Sequence, residues 1–120
     1  EVNNPSKFCV TWDGDIVDMI RSSYAIYEIK NNGILENVID RGESLSQQLR
    51  DLGLKNLRSC GLLIAFDLNS EIERNNFVKK AKENGLLVNP TGINSIRMRP
   101  NLAVTQKEIN HAVKIIKESI

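Results

Sequence analysis

Between Leu57 and Leu68 the chain is apolar on two interleaved sets of residues at once. Cys60, Leu62, Ile64, Phe66 and Leu68 alternate with Gly61, Leu63, Ala65 and Asp67. Alternation marks an extended strand, and apolarity on both sets near the middle marks one covered on both faces. The pattern predicts a single strand over 57–68, central in its sheet.

Helical signals surround it. Ile16, Met19, Ile20, Ser23, Tyr24 and Tyr27 recur at three- and four-residue spacing, which predicts a helix from about Asp15 to Lys30. Asp13 or Asp15 serves as its N-cap, and Asn31-Asn32-Gly33 stops it. A second helix is expected from about Leu35 to Leu52, with Leu35, Val38, Gly42, Leu45, Leu49 and Leu52 on one face and Gly53 ending it. A mid-helix glycine costs about 1 kcal/mol relative to alanine, so Gly42 points to another backbone approaching closely. Ser70 to Glu73 reads S-x-x-E and opens a third helix with Ile72, Phe77, Val78 and Ala81 inward. Its lysines, Lys79, Lys80 and Lys82, form a solvated end suited to the helix dipole.

Further on, Leu86–Val88 is a short strand, Asn89-Pro90-Thr91-Gly92 a turn and 93–98 another strand stopped by Pro100. Thr105 to Glu108 is a second capping box. It starts a helix with Ile109, Ala112, Val113, Ile116 and Ile120 on one face. Residues 1–12 read as extended or irregular around Asn3-Asn4-Pro5. Two helices followed by β-α-β-β-α imply one α+β domain over 1–120, a small, mostly antiparallel sheet covered by helices on one face.

Hydrophobic residues make up 41% of the chain and aromatics only 5%, so the core is aliphatic. Sixteen basic against fifteen acidic residues leave +1, and charge gives no reason to expect nucleic acid or a membrane as partner. No apolar run reaches the length of a membrane span. Cys9 and Cys60 lack metal-site or redox spacing and read as reduced thiols of a cytoplasmic protein. His111, the single histidine, lies off its helix's apolar stripe and faces water. No Ser/His/Asp set, metal cluster, P-loop or dinucleotide fingerprint is present.

Two stretches carry chemistry. Thr11 to Met19 is a turn opening a helix, with a hydroxyl and a glycine at its mouth. Free amides and the helix dipole there can hold a phosphate; the alternative is a loop hydroxyl near the N-cap. In Ser95 to Leu102, Arg97 and Arg99 lie two apart on a short strand and share a face. Guanidiniums beside apolar residues call for an anion, either a bidentate carboxylate ligand or an acidic side chain in a structural ion pair.

These stretches resemble class III pyridoxal-phosphate aminotransferases, in the lysine 6-aminotransferase flavour. Pro5-Ser6-Lys7 and Thr11 through Met19 are similar, in register, to the segment that follows the family's cofactor lysine. Leu57 to Leu63 resembles its Val-Arg-Gly-x-Gly-Leu-Leu stretch, and Ser95 to Leu102 its Arg-Phe-x-Pro-x-Leu strand. The resemblance implies the C-terminal small domain of a fold-type I enzyme that moves the terminal amino group of lysine to 2-oxoglutarate. Ornithine, acetylornithine and 4-aminobutyrate are the neighbouring donors. It implies pyridoxal 5'-phosphate as cofactor, a homodimer, Thr11 on the phosphate of the other subunit's cofactor, and Arg97 on the substrate's α-carboxylate or an acidic gate residue. The cofactor lysine belongs upstream of Glu1, since Lys7 matches another basic position. No catalytic residue is therefore expected within the 120 residues, and the isolated piece is expected to be inactive.

Asp13 and Asp15 replace the family's Gly and Asn. Two unit charges about 7 Å apart at an effective dielectric near 20 repel by roughly 2–3 kcal/mol. Either phosphate binding is weakened or these side chains turn away as caps. The alternative to an enzyme piece is a stand-alone amino-acid-binding or interaction domain, a catalytically inactive remnant.

Overall fold

A computed structural model describes Thr11 and residues 13–120. The expectations for the irregular N-terminal stretch, for Lys7 and for the Cys9 thiol concern residues outside these. Two compact units divide the chain, Glu1–Gly33 and Ile34–Ile120.

In the first unit, α1 spans Ile16–Asn31. Of the two cap candidates Asp15 takes the role, its carboxylate accepting from the Asp18 N–H at 2.9 Å. None of the helix's residues is buried, so the stripe Ile16, Met19, Ile20, Tyr24 and Tyr27 is exposed rather than packed.

The second unit runs α2 (Ile34–Asp51), β1 (Lys55–Cys60), β2 (Leu63–Asp67), α3 (Glu71–Glu83), β3 (Asn89–Thr91), β4 (Ser95–Met98) and α4 (Gln106–Ser119). The strands form one antiparallel sheet in the order β1-β2-β4-β3. The expected α+β class, with helices on one face of a small sheet, holds. Ile64, Phe66, Ile96 and Met98 face Leu45 and Leu49 of α2, Phe77 and Ala81 of α3, and Ile109 and Ile116 of α4. Phe66 and Phe77 meet edge to face at 5.8 Å. This core is aliphatic apart from that pair.

The single central strand over 57–68 is instead a hairpin. Gly61 and Leu62 form a two-residue turn, with Cys60 paired to Leu63 and Gly61 at φ +54. A two-residue loop preserves the alternation, so the apolar pattern runs through the turn unbroken. β1 is an edge strand, and β2 and β4 are the central ones. The strand expected at Leu86–Val88 lies instead at 89–91, and the turn falls at 92–94. Pro90 is tolerated because β3 is an edge.

Gly42 behaves as its position predicts. A Cβ there would lie 2.6 Å from the Gly61 carbonyl carbon and oxygen, so α2 and the hairpin tip meet backbone to backbone. On α3, Ile72 is 73% exposed and Arg74 takes the inward place. Arg74 shares a face with Phe77 and Ala81 at 3.6-residue spacing, whereas Ile72 does not. Its guanidinium is satisfied by the Gly92 and Ile93 carbonyls, both at 2.7 Å, and by Glu71. Ser70 caps the helix, but Glu73 reaches back to the Asn69 N–H, so the box is offset by one residue. The box at Thr105 and Glu108 closes fully. On α4, Ile115, outside the expected stripe, is buried, and Ile120, placed on it, is 56% exposed.

Candidate functional site

One face of the sheet is used up by the core, so chemistry in this unit falls to the other. On β4, Ile96 and Met98 point into the core, and Ser95 and Arg97 project from the opposite face. Arg97 is exposed and sits between Ala65 of β2 and Asn89 of β3. The ion pairs among the described residues are Asp18–Arg21, Arg58–Asp67, Glu71–Arg74 and Lys114–Glu118. Arg97 and Arg99 are in none of them, so the structural ion pair considered for them does not form among the described residues.

Arg97 borders two concavities. One, of about 370 Å³, is walled by Arg58, Cys60, Leu63 and Ala65. The other, of about 320 Å³, lies towards Leu86, Leu87 and Pro100 and includes Arg99, just past the end of the strand. A guanidinium at the rim of a largely apolar hollow suits a carboxylate carried by an aliphatic stem.

Beside it lies a network that the one-dimensional pattern did not reveal. Arg58 donates to Asp67 at 2.9 Å, to the Asn56 carbonyl at 2.8 Å and to the Ser95 hydroxyl at 3.1 Å. Ser95 donates to Asp67 at 2.6 Å, and the Asn56 amide donates to the other carboxylate oxygen at 2.9 Å. The Ser95 hydroxyl, then Asn56 and Arg58, hold the Asp67 carboxyl down at about 2. Arg58 and Ser95 belonged to recognised stretches but carried no role; Asp67 gave no sign.

In the first unit, Thr11 is exposed in the turn before α1, and Gly14 supplies a φ of +82. The Asp18 amide at the helix mouth is already taken by the Asp15 carboxylate. Asp15 acts as a cap, one of the two alternatives set out for it, and Asp13 is exposed. Cys60 is a free, exposed thiol, and His111 is exposed as expected. Among the described residues no cluster of metal-binding side chains occurs, and no helix is long and apolar enough to cross a membrane.

The family model for class III aminotransferases matches residues 1–120. The chain belongs to the class III aminotransferases. It is 27% identical to the L-lysine-epsilon aminotransferase of Mycobacterium tuberculosis over 122 residues, covering 97% of this chain and 27% of that protein. It is 35% identical to the acetylornithine aminotransferase of Archaeoglobus fulgidus over 106 residues, covering 88% and 27% respectively. A solved structure of the M. tuberculosis lysine aminotransferase superposes with a TM-score of 0.88 at 27% identity, over 98% of this chain and 28% of that one. The chain thus spans about a quarter of the length of these relatives. The fold is that of the fold-type I aminotransferases, and pyridoxal phosphate is the cofactor of class III aminotransferases.

Proposed function

We propose that residues 1–120 form the C-terminal domain of a pyridoxal-phosphate aminotransferase that moves the terminal amino group of lysine to 2-oxoglutarate. The observation that carries this reading is Arg97, exposed on the open sheet face, outside every ion pair of the described residues and at the rim of two hollows. Its planar fork binds the carboxylate of the amino or oxo acid in two parallel hydrogen bonds and so orients the substrate. Thr11 would hold the phosphate of the other subunit's cofactor through its hydroxyl. Pyridoxal phosphate, when bound, supplies the electron sink for amino transfer. Lysine as donor is supported by the lysine-named relatives, which align over 96–97% of the chain, against 88–92% for the acetylornithine-named ones. The intact protein is a cytoplasmic homodimer in this reading.

The test is Arg97→Ala in the intact protein. Loss of a charge-assisted bidentate contact raises the KM for both lysine and 2-oxoglutarate by about 10- to 100-fold. Cofactor content is unchanged. Unaltered KM values would overturn the assignment of Arg97.

A further inference from the structure

The two hollows that flank Arg97 differ in what they offer an anion. In the 370 Å³ hollow the other cation is Arg58. Both of its terminal nitrogens are committed, one to Asp67 and the Asn56 carbonyl, the other to Ser95. Asp67 matches its charge at 2.9 Å.

The polar side chains lining the 320 Å³ hollow are Asn89, Arg97, Arg99, Asn101 and Glu108. Two of these are occupied. The Asn101 side-chain oxygen accepts from the Ala103 N–H at 2.8 Å, and one Glu108 oxygen accepts from the N–H and the hydroxyl of Thr105, both at 2.7 Å. Two guanidiniums against one carboxylate, itself turned to Thr105, leave this hollow positive.

Asn89 and Arg97 are direct partners across β3 and β4. They stand on one face of the sheet with their Cβ atoms about 5 Å apart. On the other side of Arg97 the partner is Ala65, which has no donor. Asn89 and Arg97 are both exposed. The side-chain hydrogen bonds of the open face run among Asn56, Arg58, Asp67 and Ser95, and none among the described residues reaches Asn89 or Arg97.

We propose that the substrate's carboxylate seats in the 320 Å³ hollow, where Asn89 binds it beside Arg97. A carboxylate held by the guanidinium fork keeps a lone pair on each oxygen, and the Asn89 amide donates to the oxygen nearer β3. The proposal rests on the reading of Arg97 as the carboxylate holder, and adds a second ligand and a side of approach. Lysine and 2-oxoglutarate each present such a carboxylate, so Asn89 serves both substrates without choosing between them. The place calls for a neutral donor. An aspartate there would pair with Arg97 as Asp67 pairs with Arg58, and the hollow would lose the charge that draws the anion.

The test is the binding of valerate, an unreactive carboxylate on an aliphatic stem, to the intact protein by calorimetry. Asn89 is exposed on an edge strand, so its replacement leaves the core untouched. Asn89→Leu is expected to weaken valerate about tenfold, the loss of one hydrogen bond to a charged group. Asn89→Asp, which keeps the shape, is expected to weaken it further. A merely structural Asn89 would tolerate the isosteric aspartate, so valerate binding unchanged in either variant overturns the proposal. Cys60→Phe fills the 370 Å³ hollow from β1 and is expected to leave valerate binding as it was; weakening there would place the carboxylate in the wrong hollow for Asn89 and overturn the proposal too. Arg97→Ala separates the two readings. If it leaves valerate bound as in wild type, the assignment of Arg97 itself fails; if it weakens valerate while Asn89→Leu does not, Arg97 stands and Asn89 falls.

Discussion

A methyl group at position 42 sets two opposed effects against each other. Alanine is favoured over glycine inside a helix by about 1 kcal/mol. Against that, the new Cβ would stand 2.6 Å from two backbone atoms of Gly61 and 3.0 Å from a third, where ordinary contact begins at 3.4 Å. The helix and the hairpin must separate by roughly 0.8 Å, the difference between those distances. Neither gives way easily, because Leu45 and Leu49 anchor α2 in the core and the β1–β2 ladder fixes the turn. Overpacking of this kind costs about 1–3 kcal/mol, and here the obstacle is backbone rather than a side chain that can rotate. The clash wins, and Gly42→Ala is expected to destabilise by up to about 2 kcal/mol net, the roughly 1–3 kcal/mol of overpacking less about 1 kcal/mol of helix preference. Gly61→Ala provides the comparison. Its Cβ would meet Val38 Cγ1 at 2.8 Å, and its φ of +54 adds about 1–2 kcal/mol of strain. Val38→Ala should therefore rescue part of Gly61→Ala and none of Gly42→Ala. Urea unfolding of the three single and two double variants reads this directly. A Gly42→Ala midpoint above wild type would refute the reasoning, since it would mean that helix propensity outweighs the contact.

Asp67 carries a pH signature. Its carboxyl is lowered from 3.8 to about 2, so the stability it contributes is fully present above 3.8 and is lost as pH falls through about 2. The gap corresponds to about 2 kcal/mol at most, and the difference in unfolding free energy between wild type and Asp67→Asn should shrink across that window. A difference that is flat with pH would count against it. Arg74→Met removes the donor that ties the exposed 92–94 turn to α3 through the Gly92 and Ile93 carbonyls, for a loss of about 1–2 kcal/mol by chemical denaturation.

The helices were legible because their signals are local. Asp15, Ser70 and Thr105 sit within four residues of the amides they cap. Gly42 announced a close approach because a glycine on an apolar helical face has few other reasons to be there. Arg97 stood out as a charge on a strand bordered by Ile96 and Met98. The hairpin was hidden because Gly61 and Leu62 turn the chain without breaking the alternation. The cluster around Asp67 was hidden for a different reason. Its members are 9, 28 and 37 residues apart and meet only once the register of three strands is fixed, which no local pattern records. The offset box at Ser70 and the inward Arg74 show the same limit: type and spacing locate a helix, but its rotation about its own axis is set by what it packs on.

The one-sided covering of the sheet separates two kinds of heritable change by parity. Even-numbered positions of β2 and β4 (64, 66, 96 and 98) are locked into the core, while the odd-numbered ones (63, 65, 67, 95 and 97) carry no packing duty towards the helices. A lineage can therefore alter Leu63, Ala65 and Arg97 of the odd row step by step, with melting temperature nearly constant, while the even row and the hydrogen-bonded Asp67 and Ser95 stay under purifying pressure. Changing what is bound requires no rebuilding of what holds it.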